Sequence, residues 1–336
     1  MRIGIIGFGY WGKILSRCFS EVAGLDISFI VDIAPLRREE ARRRFPSALL
    51  ASMPAELWSM DTLDAVAIAT PANTHYGLAK AALEAGKHVW IEKPVAETAE
   101  QARTLVMLAQ RQRRVLFIDH TFLYSDSIRL IKQMLVRKDF EEMRCYESVR
   151  TNNGQCREDA SIFHDLAIHD LAILDFLIGE SPLAVSAKEL PARGAGAAGD
   201  QRIMLAYASG VRAGIRVNWC ASTKARRIVI SSNRQAVEFD DLELHHKVRL
   251  HASPFAATPE YGLHDLDADR RNGRVLPLHS QKETLANAVE CFLRCIRTGE
   301  RPVSDGWQGV RLAAIVDACV SSAEADGKWT KAASVM

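Results

Sequence analysis

The first 32 residues constrain the fold most, because a short apolar segment, a glycine-rich turn, a helix and a second strand follow one another there. The segment 3–6 is apolar and too short for a helix, which predicts a buried strand. The next turn has the spacing G-x-G-x-x-G, whose glycines permit a tight turn, close approach of backbone to a pyrophosphate, and close packing of helix on strand. The segment 13–19 predicts a helix whose N–H groups and dipole bind that pyrophosphate. We therefore expect the turn residues to bind a dinucleotide: Gly7, Phe8, Gly9, Tyr10, Trp11 and Gly12.

An acidic residue after the second strand indicates which dinucleotide binds. Asp32 follows the strand 26–31, about 20 residues past the last glycine, where a carboxylate accepts hydrogen bonds from the adenosine ribose. Arg37 and Arg38 come soon after and would suit the 2′-phosphate of NADP, or else lie on a solvated helix face. Because the Asp32 carboxylate would repel a 2′-phosphate, we predict NAD rather than NADP, with Arg37 near the cofactor.

Three more short apolar segments, 64–69, 87–91 and 114–118, alternate with helical segments, and this pattern predicts a doubly wound parallel sheet. Ligands of such sheets bind at the carboxyl ends of the strands. Pro71 marks one of these ends, because proline cannot continue the hydrogen-bond ladder. We expect cofactor contacts from the residues that follow two of the strands: Thr70, Pro71, Asn73 and His75 after one, and Glu92, Lys93 and Pro94 after the other.

Candidate catalytic groups lie at one of these strand ends and on a later helix. Burying an ammonium group is costly, so Lys93 in a dry strand-end position needs a function; alternatively, it is an ordinary lysine that reaches solvent. The apolar helix predicted over 162–178 places Asp165 and His169 four residues apart on one face, which suits general acid–base catalysis. A metal site is the rival, but His164 and His169 would be about 140° apart around a helix, so we predict none. The simplest alternative is a helix start with solvated acids and a packed histidine.

The second half of the chain has a different pattern. A helix is predicted over 126–136, a strand over 142–150 and a loop over 151–159, whose Asn-Asn-Gly sequence is typical of a turn. Five short, mostly alternating strands between 184 and 239 predict antiparallel pairing. With 336 residues, 48% of them hydrophobic, the chain is longer than one core usually supports. We predict an α/β protein with a Rossmann domain over 1–121 and a second α/β domain over 122–336 that contains an open, mostly antiparallel sheet.

Composition excludes several classes of partner. The net charge of +2 gives no reason to expect nucleic acid or an acidic membrane surface. Seven cysteines without paired spacing predict reduced, mostly buried thiols. No apolar run reaches 18 residues, and no leader precedes the first strand, so we expect a soluble, unexported protein of the cytoplasm. The aperiodic segment 251–280 predicts a long loop or an insertion.

These motifs together resemble the glucose-fructose oxidoreductase and inositol dehydrogenase family, Gfo/Idh/MocA. The resemblance rests on Gly7–Gly12, Ala69-Thr70-Pro71, Glu92-Lys93-Pro94 and the D-x-x-x-H pattern of Asp165 and His169. It implies a Rossmann domain, a second domain that commonly forms oligomers, and hydride transfer between NAD(P) and a sugar or cyclitol hydroxyl. Lys93 would stabilise the reacting oxygen, His169 would act as acid or base, and Asp165 would assist it. A dimer or tetramer through the C-terminal sheet would follow.

Several stretches, among them 120–124 and 165–170, are most similar to family members that act on nucleotide-linked sugars, such as UDP-sugar 3-dehydrogenases. On this basis the expected substrate residues are Lys93, His120, Tyr124, Asn152, Arg157, Asp165 and His169. Asp119 departs from the family pattern, because many relatives carry glycine or another small residue there. Two other functions stay open: a sugar or dinucleotide sensor without catalysis, and a glycosidase that uses tightly held NAD.

Overall fold

The computed structural model describes residues 1–137, 140–154, 161–190, 199–251, 273–278 and 282–332. In this part of the chain, Cα positions form two compact units, one of 1–124 with 282–313 and one of 125–281 with 314–336. The first division lies near the predicted boundary after 121. The units differ from the predicted domains in one respect, because 282–313 belongs to the first unit rather than to the second.

The first unit contains a parallel sheet, as predicted. Within the described residues its strands number six: β1 (Arg2–Ile6), β2 (Asp26–Val31), β3 (Leu49–Ala51), β4 (Ala65–Ile68), β5 (His88–Glu92) and β6 (Leu116–Asp119). They are ordered β3-β2-β1-β4-β5-β6, and every neighbouring pair is parallel. Their carboxyl ends therefore lie along one edge of the sheet. The sequence pattern missed β3, whose three residues are too few to show a period.

Helices cover this sheet. They are α1 (Tyr10–Ser20), α2 (Pro35–Arg44), α3 (Ala55–Trp58), α4 (His75–Glu84), α5 (Ala99–Gln112) and α8 (Thr284–Thr298). Helix α1 begins three residues earlier than predicted, at Tyr10, so the last glycine of the turn lies inside the helix.

An aromatic cluster explains why α8 belongs to this unit. The rings of Trp90 on β5 and Phe117 on β6 are stacked with centroids 4.3 Å apart. Phe292 on α8 meets both rings edge-on, at 5.6 Å from Trp90 and 5.5 Å from Phe117. All three side chains are fully buried, and burial of one such ring stabilises a fold by about 1.5–3 kcal/mol. The sheet of the first unit thus needs a helix that the chain supplies only after residue 282.

The second unit contains a mixed sheet that is mostly antiparallel, as predicted. Its described strands are β7 (Cys145–Asn153), β8 (Ala184–Glu189), β9 (Asp200–Ala206), β10 (Arg212–Asn218), β11 (Cys220–Ser231), β12 (Ala236–Asp240), β13 (Val248–His251), β14 (Arg274–Val275) and β15 (Thr330–Lys331). Their order is β14-β13-β12-β11-β7-β10-β9-β8-β15. Only the pair β7 and β10 is parallel among the described strands. The prediction of a loop from 151 was wrong for the first three residues, because cross-strand pairing with β10 and β11 extends β7 to Asn153.

The helical segments of the second unit are α6 (Asp126–Arg137), α7 (Ile168–Ile178) and a π-helix (Phe163–Ala167) that leads into α7. The prediction of one regular helix over 162–178 therefore needs correction, since its first turn has the wider π form. The last long helix is α9 (Gly306–Glu324). No helix in the described part of the chain is both long and apolar enough to span a bilayer.

Candidate active site

The glycine turn after β1 has the geometry that its sequence predicts. Gly7 has a φ of +93°, which side chains disfavour, and a Cβ there would lie 2.5 Å from the carbonyl oxygen of Ala69. A Cβ on Gly12 would lie 2.0 Å from the carbonyl oxygen of Gly7, so α1 can pack this closely on β1 only with glycine. Beside Gly9, by contrast, a Cβ would meet only the guanidinium of Arg37, at 3.7 Å. The first and third glycines serve close packing, and the second leaves the backbone accessible.

Asp32 connects this turn to the end of β2. Its Oδ2 accepts a hydrogen bond from the Phe8 N–H at 2.7 Å, and its Oδ1 accepts one from the Ala34 N–H at 2.8 Å. Arg37 Nη1 lies 3.6 Å from Oδ2, whereas Arg38 donates to the backbone carbonyl of Asp32 at 2.6 Å. Arg37 is therefore the arginine beside the carboxylate, and Arg38 supports the loop. The ring of Phe8 is fully buried, so this residue contributes its backbone to the turn.

The loops after β4 and β5 are joined by a histidine. The imidazole of His75 is buried, with Nδ1 2.7 Å from the carbonyl oxygen of Pro94 and Nε2 2.9 Å from that of Thr70. Burial lowers the pKa of His75, and the two carbonyl groups partly offset this effect. The Thr70 and Thr74 hydroxyls share a hydrogen bond of 2.7 Å. His75 thus holds together two of the loops predicted to contact the cofactor, while Pro71 and Asn73 are exposed on the same edge.

The ends of β5 and β6 bring two carboxyl groups together beside Lys93. Glu92 and Asp119 are register partners across these strands. Asp119 accepts hydrogen bonds from the Thr121 hydroxyl at 2.6 Å and from the Trp11 indole N–H at 3.4 Å. Burial raises the pKa of both carboxyls, that of Glu92 well above its usual range, with the Asp119 charge as a further cause. The repulsion between two like charges buried side by side thus favours the protonated form of Glu92.

Lys93 and its neighbours form the rest of this strand-end group. The Lys93–Pro94 peptide bond is cis, and the lysine is half-buried. Desolvation lowers the pKa of the buried His120 imidazole to about 3, and the positive charge of Lys93 adds to this effect. Tyr124, predicted to contact substrate, is fully buried instead, and its hydroxyl shares a 2.8 Å hydrogen bond with Ser304. The tyrosine therefore has no exposed surface to offer a substrate.

In the second unit, the π-helix carries Asp165 and α7 carries His169. The Asp165 Oδ2 accepts a hydrogen bond from the indole N–H of Trp219 at 2.9 Å. His164, also on the π-helix, pairs through Nδ1 with the Ser161 hydroxyl at 2.8 Å. The prediction that no metal is bound depends on regular α-helical spacing between His164 and His169, and the π-helix does not have that spacing. Among the described residues, no three or more His, Cys, Asp or Glu side chains are grouped so that they could hold a metal ion.

A buried ion pair anchors the start of α7. Arg150, which points inward from β7, donates to the Asp170 carboxylate, and both side chains are almost fully buried. Asp170 directly follows His169, so this pair fixes the helix position next to the candidate base. Asn152, predicted to contact substrate, lies half-buried near the end of β7, and the predicted Arg157 lies outside the described residues.

Comparisons with known proteins show the family to which the chain belongs. The family profile described as "Oxidoreductase family, NAD-binding Rossmann fold" matches residues 1–120, and that of the GFO/IDH/MocA C-terminal domain matches 135–238. UDP-N-acetylglucosamine 3-dehydrogenase of Acidithiobacillus ferrooxidans is 30% identical over 94% of each chain. The chain belongs to the Gfo/Idh/MocA family of oxidoreductases. The predicted family, the oxidoreductase class and the NAD-binding Rossmann fold are thereby confirmed.

One further relative and one solved structure show the breadth of this Gfo/Idh/MocA similarity. Inositol 2-dehydrogenase of Rhizobium meliloti is 25% identical, over 96% of each chain. A solved structure of UDP-N-acetylglucosamine 3-dehydrogenase from Acidithiobacillus ferrooxidans has a TM-score of 0.81 at 25% identity and covers 97% of this chain and 98% of its own. The similarity in sequence and in fold therefore extends over nearly the whole length.

The residues of the first unit fit the NAD that this family binds. Helix α1 has no side-chain cap at Gly9, so N–H groups of its first turn are available for a pyrophosphate. Tyr10 is 81% exposed beside the open face of Gly9. A carboxylate with two oxygens has about four acceptor sites, so the two backbone N–H groups leave Asp32 with capacity for ribose hydroxyls.

Sequence reasoning missed three residues that support the candidate groups. Asp119 was noted only as a departure from the family, yet it pairs with Glu92. The sequence pattern does not single out Trp219 or Arg150, although Arg150 lies on the inward side of β7 and Trp219 continues the alternation of buried residues just after β10. A charged residue in an inward position, such as Arg150, is a signal that a buried partner exists.

Proposed function

We propose that this Gfo/Idh/MocA oxidoreductase transfers a hydride between NAD and a ring hydroxyl or keto group of a nucleotide sugar. The observation that carries the proposal is the presence of the full candidate set, Lys93, Asp165 and His169, in a chain 30% identical over 94% of its length to a UDP-N-acetylglucosamine 3-dehydrogenase. The inositol dehydrogenase similarity favours the wider class of cyclic polyols and is weaker, at 25% identity.

The candidate residues divide the chemistry between proton transfer and charge stabilisation. NAD, when bound, would supply the acceptor for the hydride of the carbinol carbon. The His169 imidazole takes the hydroxyl proton, with Asp165 orienting the ring, and the Lys93 ammonium stabilises negative charge on the oxygen. In the reductive direction His169 returns the proton. The ordered strand end that holds Lys93 and the ion-paired helix start beside His169 support these roles, because catalytic groups need fixed positions.

The edge geometry of the first unit supports the cofactor contacts that we propose. The N–H groups at the start of α1 hold the pyrophosphate, and Asp32 and Arg37 face the adenosine ribose. Thr70, Pro71, Asn73 and Lys93 line the edge, and His75 and Glu92 act through the loops and strand ends that they hold. Asn152 and Arg157 remain proposed substrate contacts, whereas His120 and Tyr124, both of which are buried, are not among them.

The test combines ligand binding with turnover. Thermal-shift screening of the purified protein against nucleotide sugars, sugars and inositols, each with and without NAD, should give the largest increase in melting temperature for a nucleotide sugar with NAD. The same pair should produce NADH that accumulates with time. Stabilisation without NADH formation would favour a sensor. Glycosidic cleavage without net NADH would favour the NAD-dependent glycosidase.

We also propose that the protein is a dimer or tetramer through the sheet of the second unit, and that it works in the cytoplasm. The oligomer follows from the family resemblance, and light scattering during size-exclusion chromatography tests it. A monomer at micromolar concentration would contradict it.

A further inference from the structure

Trp219 lies where four strands of the second unit begin or end. It directly follows β10, whose last residue, Asn218, pairs with Thr151 of β7 and with Asp200 at the start of β9. The next residue, Cys220, begins β11. The alternation of buried residues along β10 continues to the indole of Trp219, which is 8% exposed. The tryptophan therefore faces the side of the sheet on which the π-helix lies.

Backbone contacts fix this tryptophan on both sides. Its N–H donates to the carbonyl oxygen of Gly199 at 3.3 Å, and its own carbonyl oxygen accepts from the Gly154 N–H at 3.0 Å. A Cβ on Gly199 would lie 3.2 Å from the indole Cε3, so the ring packs directly on the glycine backbone. The indole has little freedom to turn away from its partner.

That partner is Asp165. The indole N–H has a single hydrogen to donate, and it donates to the Asp165 Oδ2 at 2.9 Å. A hydrogen bond to a carboxylate is charge-assisted and stronger than a neutral one. Asp165 lies in a π-helix, so regular α-helical spacing does not determine where its carboxylate lies. The hydrogen bond from the Trp219 indole orients the carboxylate instead.

We propose that Trp219 is a positioning residue whose indole N–H holds the Asp165 carboxylate in the orientation from which Asp165 assists His169. This inference rests on the proposed roles of Asp165 and His169. By donating to the carboxylate, the indole also weakens the electrostatic effect of the Asp165 negative charge on the His169 imidazole.

Trp219→Phe removes the donor and keeps an aromatic ring. Because the Asp165 carboxylate then loses the donor that orients it, kcat should fall roughly tenfold or more, while the KM for NAD stays within about twofold. Without the donor, the Asp165 carboxylate in Trp219→Phe acts more strongly on the His169 imidazole. The acid limb of the pH profile of kcat/KM should therefore move to higher pH. Trp329→Phe is the matched control, since Trp329 is half exposed at the end of the described chain, and it should leave kcat and the pH profile unchanged.

A double-mutant cycle shows whether Trp219 acts through Asp165. In an Asp165→Ala background, Trp219→Phe should lower kcat by less than about twofold, because the carboxylate it positions is gone. An equal loss in both backgrounds would overturn the proposal and assign Trp219 a role in folding. Unchanged kcat and pH profile in Trp219→Phe would overturn it as well.

A spectroscopic measurement separates failure of this inference from failure of the proposed function. The indole ¹⁵N–¹H signal of Trp219, assigned by its loss in Trp219→Phe, should shift in Asp165→Ala and stay in place in Trp329→Phe. A Trp219 signal that does not respond to Asp165→Ala would overturn the hydrogen bond and the inference with it. Absence of turnover by the wild type with every sugar tested would instead contradict the proposed function.

Discussion

The two units hold their candidate groups in different ways. At the sheet edge of the first unit, strand ends, glycines and backbone hydrogen bonds place the groups, as the Gly7 turn and the Asp32 contacts show. In the second unit, Asp165 and His169 lie on an irregular helix that depends on Trp219 and Arg150 from distant strands. A site made by regular backbone geometry has a local sequence signature, whereas a site made by long-range side-chain contacts has only part of one.

The units also treat buried charge differently. The first unit places the like-charged Glu92 and Asp119 side by side near Lys93, whereas the second pairs the opposite charges of Arg150 and Asp170. We expect the stability contributed by the carboxyl pair to depend on pH. The ion pair should destabilise the protein only when one of its partners is removed.

The largest expected effect tests whether both units supply chemistry. Lys93→Ala and His169→Ala should each lower kcat by roughly 10²–10⁴, the usual contribution of a proton-transfer or charge-stabilising group, with NAD affinity changed only a few fold. Asp165→Asn should be milder because it keeps the shape of the side chain. Steady-state kinetics with the substrate found by screening measures this, and Lys80→Ala, an exposed helix position, is the control. Near-normal turnover by Lys93→Ala would assign the chemistry to the second unit alone.

Breaking the buried ion pair of the second unit should destabilise the protein strongly. Arg150→Met leaves the Asp170 carboxylate buried without its arginine, which should lower the free energy of unfolding by about 3–5 kcal/mol in urea denaturation. Arg150→Met combined with Asp170→Leu should recover much of the loss. Arg216→Met, which removes a pair whose arginine is half exposed, should cost less than about 1 kcal/mol. Equal losses for the two arginines would mean that burial does not distinguish them.

In the first unit, a single methyl group should disturb the glycine turn. Gly12→Ala places a Cβ 2.0 Å from the Gly7 carbonyl oxygen, so α1 must shift, and NAD should bind roughly tenfold more weakly or worse in fluorescence titrations. Gly77→Ala is the matched control because a Cβ at that helical position meets nothing within 4 Å. The control should stabilise the protein by about 0.5–1 kcal/mol. Unchanged NAD binding in Gly12→Ala would contradict the role of close packing.

A smaller effect concerns the choice between NAD and NADP. Because Asp32 repels a 2′-phosphate, NAD should bind about tenfold more tightly, which corresponds to about 1.4 kcal/mol. Asp32→Ala should narrow this difference and leave Arg37 to attract the phosphate. Parallel titrations with NADH and NADPH measure the ratio. Tighter NADPH binding by the wild type would show that Arg37 outweighs the carboxylate.

The smallest effect is a pH dependence that belongs to the first unit. Burial, and then the Asp119 charge, raise the pKa of Glu92 above its unfolded value of 4.5, so the stability this group contributes is present below that pH and is lost as the pH rises. Asp119→Asn removes the like charge and should flatten the decline in melting temperature on the alkaline side. The buried His120, with a pKa of about 3, has the opposite effect. Its contribution to the stability of the protein should be lost as the pH falls below about 6.5, in the wild type and in the variant alike. Identical profiles would show that the carboxyl pair is not coupled.

The sequence by itself determined the parallel sheet and most of its edge. Strand ends, glycines and prolines follow from local sterics, so residues 1–121 could be interpreted in order, and the strand 26–31 has the predicted bounds. It also determined the family, because four motifs occur in the expected order.

Only the tertiary structure decided how the remaining groups are supported. That α8 completes the first core, that Asp119 meets Glu92 and that Arg150 and Trp219 hold the start of α7 and the π-helix all depend on contacts between residues far apart in the chain. Local patterns give the inward side of a strand but not the partner it meets there. The energies of packing and of buried hydrogen bonds belong to pairs of residues, and the fold determines those pairs.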